Sequence, residues 1–303
     1  MNRAAEKDFV SLFRVPQPHS RLEHFSTIIT VTGVLVAVEC TAILYVSFVL
    51  QSTTSSYLLL AATFFLAVSV YSLNKVTDVK EDSINQPDRT RFAEKYRKYL
   101  LFASIESINI AIVLAFFSNP YAILIMLLPF YAGVFYSVGV NKSRTKDVLF
   151  MKNLTIAGAA TVGAVLLPLV IHVGNLLIIA LVTYFVFLKV FINTVIFDVR
   201  DMEGDKKVGA RTIPIYFGRE KTRNLLLLLN STLIVWIGFS FFAGLFYPYH
   251  IVLVVSLLYA YWYILRYTKA NAAQSKYEDL VVEGEWILLA LYAIPFVLGW
   301  PTF

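Results

Sequence analysis

Two stretches of the chain gather acids at helical spacing. The first reads Tyr71-Ser-Leu-Asn74-Lys-Val-Thr-Asp78-Val-Lys-Glu-Asp82, and the second Asn193-Thr-Val-Ile-Phe-Asp198-Val-Arg-Asp201-Met-Glu-Gly-Asp205-Lys206-Lys207. Asn74, Asp78 and Asp82 stand at i, i+4 and i+8; Asp198, Asp201 and Asp205 stand at i, i+3 and i+7. On a helix either spacing lines three side chains along one stripe. Like charges so placed repel, and a bound cation removes that cost. Hard oxygen ligands without His or Cys suit Mg²⁺ better than zinc. The alternating Asp-x-Asp-x-Asp of a calcium loop does not occur in either stretch. Mg²⁺ keeps few protein ligands and completes its shell with phosphate oxygens, so two facing clusters suit a polyphosphate such as a diphosphate. The carboxylates and a diphosphate together outweigh two Mg²⁺ ions, and further cations are wanted. Lys75, Lys142, Arg144, Lys146, Lys152, Lys206, Lys207 and Arg211 lie in the same connections.

The elements that must carry these stripes are set by composition. The 303 residues are 58% hydrophobic and only 15% charged, with a mean hydropathy of +0.68. That balance excludes an ordinary soluble globule and a disordered chain. The single cysteine, Cys40, excludes an intrachain disulfide and a Cys-rich metal site. Apolar runs of span length occur at about 25–50, 56–75, 99–118, 121–140, 153–172, 176–197, 224–246, 249–266 and 282–300. They predict an all-α polytopic membrane protein of nine transmembrane helices bundled around a central cavity. Helix follows because lipid offers the backbone no hydrogen bonds.

All charged residues but Glu39, Glu106 and Lys189 fall in 1–24, 75–98, 142–152, 198–223 and 266–285. Alternating spans put those segments on one face, and their basic excess makes that face cytoplasmic. The expected layout is a cytoplasmic N-terminal arm (1–24), a transmembrane domain (25–303) with cytoplasmic caps at 76–98 and 199–222, and an outer C-terminus. The polar first 24 residues predict no cleavable signal peptide. Phe9–Arg14 suits a short interfacial helix. The net charge of +6 points to anionic headgroups or substrates rather than nucleic acid. Lys189 is expected in an intramembrane ion pair or pointing into a polar cavity near the acids.

The two acidic stripes follow the second and sixth apolar runs. That pattern suggests a four-plus-four helix pseudo-repeat with one helix added, which turns the stripes toward each other. Asn74-x-x-x-Asp78-x-x-x-Asp82 and Asp198-x-x-Asp201-x-x-x-Asp205 resemble the two aspartate-rich signatures of the UbiA superfamily of intramembrane prenyltransferases. Asn85-Gln-Pro87-Asp88-Arg89 and Glu203-Gly204-Asp205-Lys206-x-x-Gly209-x-Arg211-Thr212 are similar to the segments flanking them. Tyr136-Ser137, Lys142 and Lys152-Asn153 are similar to the family's Tyr/Lys/Asn region between the fourth and fifth spans.

The resemblance implies that Asn74, Asp78, Asp82, Asp198, Asp201 and Asp205 bind two Mg²⁺ ions holding a polyprenyl diphosphate such as geranylgeranyl or geranyl diphosphate. It further implies that Lys142, Lys146, Lys152, Arg211 and Asn153 contact substrate. Tyr136 would donate to the diphosphate or face the allylic cation, and Tyr71 and Tyr131 would line the cavity. The acceptor it implies is a small aromatic such as hydroxybenzoate or an isoprenoid glyceryl phosphate, in quinone or lipid biosynthesis. The continuation Thr90-Arg-Phe-Ala after Arg89 departs from the family pattern, and the 138–152 connection is long. Two other classes fit part of the pattern. A secondary transporter would hold its charges at the membrane midplane. A CDP-alcohol phosphotransferase would need an Asp-Gly-x-x-Ala-Arg run, which this sequence lacks.

Overall fold

The structure is a computed structural model that describes residues 32–79, 83, 85–138, 148–269 and 278–297. The N-terminal arm, Asp82, Lys142 and Lys146 lie outside the described residues, as does the side chain of Tyr136. Among the described residues there is no strand. The helices are α1 (Val34–Leu50), α2 (Tyr57–Thr77), α3 (Pro87–Lys95), α4 (Arg97–Ser118), α5 (Pro120–Val138) and α6 (Met151–Leu166). They continue as α7 (Leu176–Val208), α8 (Ile213–Phe217), α9 (Arg219–Phe242), α10 (His250–Tyr267) and α11 (Glu278–Val297). A 3₁₀ turn, Leu167–Val170, prolongs α6.

Each expected apolar run overlaps one of the long helices. Six stretches are long and apolar enough to cross a membrane: α2, α4, Met151–Val170, Leu176–Lys207, α9 and α10. The chain is therefore an integral membrane protein. α1 and Pro120–Phe135 are apolar but shorter. In α11 the acids Glu278, Asp279, Glu283 and Glu285 dilute an otherwise apolar sequence.

Helix ends follow local chemistry. Ser56 caps α2, its hydroxyl accepting from the Leu59 N–H at 3.3 Å. Asn175 caps α7, its side-chain oxygen accepting from the Leu177 and Ile178 N–H groups at 2.8 and 3.4 Å. At the other end of α7, Gly209 takes a left-handed conformation (φ 76°), and Ala210 N–H bonds back to the Asp205 carbonyl. The sequence suggests that this helix stops near residue 197, where charge begins. It runs on for three more turns, because its stop signal is the glycine and not the loss of hydrophobicity. The second acidic stretch is thus the last part of one 33-residue rod rather than a separate cap. At 1.5 Å per residue the rod is about 50 Å long, against a hydrocarbon core of about 30 Å.

Around the central space, α1 packs on α2, α6 and α11; α5 packs on α2 and α6; and α6 packs on α7. α4 lies outside α2, and α9 and α10 lie outside α7. Since lipid is as apolar as the side chains, small residues and hydrogen bonds must supply specificity. Ser69 and Ser104 hydroxyls each donate to the other's carbonyl (2.7 and 2.9 Å), joining α2 to α4. Gly133 lies so close to Val70 that a Cβ there would come within 2.6 Å of it, which sets the approach of α5 to α2. In the other half, Phe185, Trp236 and Phe246 stack at 5.3 and 5.2 Å, with Trp286 edge-on to Phe185 at 5.8 Å.

Lys189 is fully buried in an ion pair with Glu285. Glu285 also accepts from the Ser256 hydroxyl at 2.6 Å and from Tyr263 at 3.2 Å. The ion pair is the first of the two expected alternatives. Its partner sits two turns into α11, within the stretch that the sequence reading assigned to a connection. Glu106 is exposed on α4. Replacing Lys189 by Met is expected to destabilise the protein by about 3–5 kcal/mol, because Glu285 stays buried without its countercharge. Thermal unfolding in detergent checks this, and the Lys189→Met/Glu285→Leu double variant should recover most of the loss.

Candidate active site

Asn74 and Asp78 of the first stripe and all three aspartates of the second face one cavity of about 320 Å³. Its mouth is polar. Asn74, Lys75 and Asp78 come from α2, Lys152 from α6, Asp198, Arg200, Asp201 and Asp205 from α7, and Asp279 and Glu283 from the head of α11. Its interior is apolar, with Ile43 of α1, Leu66 of α2, Met126 of α5, Ala164 of α6 and Leu167 among the wall residues. A chamber graded this way takes a molecule with a charged head and a hydrocarbon tail.

At the mouth, acids outnumber the cations Lys75, Lys152 and Arg200. Each second-stripe carboxylate has a different protein partner. Asp198 is fully buried, ion-paired to Lys152 at 2.6 Å, and accepts from the Asn153 amide at 2.8 Å. Asn153 also donates to Thr194 at 3.2 Å, so it is fixed between two turns of α7. Both oxygens of Asp201 accept from Arg200, at 2.8 and 3.0 Å. Arg200 also reaches Asp279 and covers the Phe197 ring at 4.9 Å. Asp205 accepts from Asn85 at 3.0 Å, and its second oxygen is buried without a hydrogen-bond partner.

Asn85 crosses from the first stretch to the second. It lies on Gly204, where a Cβ would come within 1.7 Å of the Asn85 oxygen. Only glycine admits this contact. On the other wall, Asp78 ends α2, with its N–H on the Asn74 carbonyl and one carboxylate oxygen accepting from Thr77 at 3.2 Å.

Of the residues singled out from sequence, Tyr71, Asn74, Asp78, Lys152, Asp198, Asp201 and Asp205 line the cavity. Asn153 sits behind Asp198 and holds it. Two expectations need correction. Tyr131 is half exposed and packs by its ring against Phe130 and Phe135. The α5 residues in the wall are Met126, Pro129, Ala132 and Gly133, and the helical turn carries Tyr131 off that face. Arg211 follows the turn at Gly209, is exposed, and is not in the wall. Four charged wall residues were not singled out for a role in the site: Arg200, Asp279, Glu283 and Glu39. Asp279 and Glu283 carry a readable signal, an i, i+4 acid pair opening the last apolar run. Arg200 sits inside the Asp198-x-x-Asp201 run itself.

Among the described residues, no three His, Cys, Asp or Glu side chains converge into a ready-made metal cage. Mg²⁺ does not need one, since it binds through one or two carboxylates and takes the rest of its shell from water and phosphate. The unpartnered Asp205 oxygen and the excess of acids at the mouth fit such an ion. Asp198 and Asp201, by contrast, hold protein cations in its place.

Sequence comparison finds related proteins of similar length. A digeranylgeranylglyceryl phosphate synthase of Thermococcus kodakarensis is 27% identical over 263 residues, covering 86% of this chain and 88% of the relative. Another, from Sulfurisphaera tokodaii, is 26% identical over 234 residues, covering 76% and 82%. The fold is similar to that of a UbiA homolog from Archaeoglobus fulgidus solved bound to GPP and Mg²⁺. The TM-score is 0.68 at 17% identity, over 88% of this chain and 98% of that one. The sequence model of the UbiA prenyltransferase family matches residues 35–283, both acidic stretches and most of the chain included, and the protein therefore belongs to the UbiA prenyltransferase family.

Proposed function

We propose that this protein transfers a geranylgeranyl-type group from its diphosphate to a hydroxyl of an isoprenoid glyceryl phosphate, in membrane lipid biosynthesis. The observation that carries this reading is the graded cavity, with Asn74, Asp78, Asp198, Asp201 and Asp205 at its mouth and a hydrocarbon-lined interior. The glyceryl phosphate acceptor is favoured over an aromatic one by the names of the relatives. GPP and Mg²⁺ bound to the Archaeoglobus homolog support a prenyl diphosphate donor.

Asn74, Asp78 and Asp82 would hold one Mg²⁺, and Asp198, Asp201 and Asp205 a second. When bound, the ions neutralise the diphosphate and stabilise the charge that grows on it as it leaves. The chain's own cations share that work. Lys152 and Arg200 are already at the mouth, and releasing Asp198 and Asp201 frees them for phosphate oxygens. Lys75, Lys142 and Lys146 would add to these donors, and Tyr136 would donate to the diphosphate or face the allylic cation. Tyr71 and the apolar wall would hold the tail and keep water from the allylic carbon. The acceptor hydroxyl then forms the new C–O bond, and diphosphate departs with the electron pair of the old one.

The same reading places the acidic rim and the N-terminal arm in the cytoplasm, by the basic excess of the connections. It counts nine spans, with the C-terminus outside. A repeat relating α1, α2, α4 and α5 to α6, α7, α9 and α10 is supported by matching neighbours, since α2 touches the other three of its set and α7 the other three of its own.

Purified protein in nanodiscs with Mg²⁺, labelled geranylgeranyl diphosphate and geranylgeranylglyceryl phosphate should form the diprenyl ether and release diphosphate. Asp78→Ala and Asp201→Ala should each lower release by about 100-fold or more without unfolding. Full activity in EDTA, or in both variants, would refute the assignment. Gly204→Ala must push Asn85 off Asp205, so it should cost on the order of 100-fold in transfer, as sub-ångström to ångström misplacement does. A Gly204→Ala variant with unchanged kcat would show that the Asn85 contact has no part in the reaction.

A further inference from the structure

Beneath the acids, the cavity wall carries one more carboxylate that the reaction described above does not use. Glu39 lies on α1, with Val36, Cys40 and Ile43 at the same i, i+3, i+4 and i+7 face of the chamber. Gly33, just before α1, lies against Lys75 at the mouth. Glu39 is six residues further along, about 9 Å deeper at the helical rise. Across the chamber, Asn193 is one and a half turns, about 7 Å, inward of Asp198 on α7. The side chains of Glu39 and Asn193 meet at that depth, where the acids and cations of the mouth give way to hydrocarbon.

Glu39 is almost fully buried, and the intramembrane cation Lys189 is engaged by Glu285 rather than by Glu39. A carboxylate at this depth is costly and calls for a functional reason. Its neighbour is also held in place. The Tyr263 hydroxyl donates to the Asn193 side-chain oxygen at 2.8 Å, and Tyr263 is anchored by Glu285. Asn193 is thereby oriented with its oxygen toward Tyr263, while its amide nitrogen donates to the Val282 carbonyl at 3.5 Å and meets Glu39.

We infer that Glu39 is a further catalytic residue, the base that takes the proton from the attacking hydroxyl of the acceptor. The inference rests on the transfer reaction proposed above. In the step, a lone pair of the hydroxyl oxygen bonds to the allylic carbon. The bond from that carbon to diphosphate breaks, its electron pair leaving with the diphosphate, and the hydroxyl proton passes to a Glu39 carboxylate oxygen. Asn193 is the positioning residue for that carboxylate. A base at this place favours an acceptor that reacts through an aliphatic alcohol, which has to lose a proton as it attacks.

The test compares geranylgeranylglyceryl phosphate with an analogue whose attacking hydroxyl is replaced by a thiol, using geranylgeranyl diphosphate as donor and the full chain in nanodiscs. Glu39→Gln keeps the shape and should leave donor binding unchanged. It should slow single-turnover transfer to the hydroxyl by on the order of 100-fold or more, the worth of a positioned base. Transfer to the thiol should fall far less, because a thiolate is available without one. Glu39→Asp retains a carboxylate and should be clearly faster with the alcohol than the Gln variant. Wild-type rates in Glu39→Gln, equal losses for alcohol and thiol, or an Asp variant no better than Gln would each overturn the inference. Wild-type protein that transfers to neither acceptor would overturn the underlying reaction, and the inference with it.

Discussion

Carboxylates crowded at the edge of an apolar medium have to be given countercharge, and this requirement organises the molecule. Lys152 and Asn153 of α6 answer Asp198 on α7, and Arg200 links Asp201 to Asp279 at the head of α11. The contacts that quiet the acids are also the contacts that pin α6 and α11 to α7. Removing one member of such a buried pair costs several kcal/mol, chiefly by stranding the other. The rim of the bundle and the site are therefore one set of interactions. Ligand binding at the mouth has to exchange those partners rather than fill an inert hole.

Deeper in the bundle the rules change. Hydrophobicity gives helices no reason to prefer each other over lipid, so specificity comes from close approach and paired polar groups. Ser69 with Ser104, Gly133 with Val70, and Gln51 donating to the Val165 carbonyl each join different helices. Lys189, Glu285, Ser256, Tyr263 and Asn193 form a longer network tying α7, α10 and α11 together. It ends on the cavity wall, so the packing of one half of the bundle fixes the orientation of a group inside the chamber.

Much of this was readable from residue order. The apolar runs gave the helices, and the two acid stripes pointed to one shared cavity, because spacing and hydropathy act locally. What stayed hidden depends on tertiary neighbours. The onset of charge near residue 198 suggests an earlier end to α7, while the chain ends the helix at Gly209. Tyr131 and Pro129 differ by only two positions on α5, yet one faces outward and the other the chamber. The partner of Lys189 is hidden in the sequence because Glu285 stands among the charges of 266–285, although the helix Glu278–Val297 carries it into the bundle. Arg200 lay in plain view between two aspartates, but nothing local says that it bridges to Asp279, far along the chain.

The uninterrupted course of α7 has a mechanical meaning. The hydrogen-bonded helix runs unbroken from Leu176 to Val208, so no break separates its buried midsection from the three aspartates near its end. Adaptation to an arriving head group then falls to rotation of side chains, with Arg200 of α7 and Lys152 of the facing α6 as the moving parts. The α7 wall behaves as the anvil of the site, and a prenyl tail sliding in meets a fixed reference from which its reacting carbon is measured.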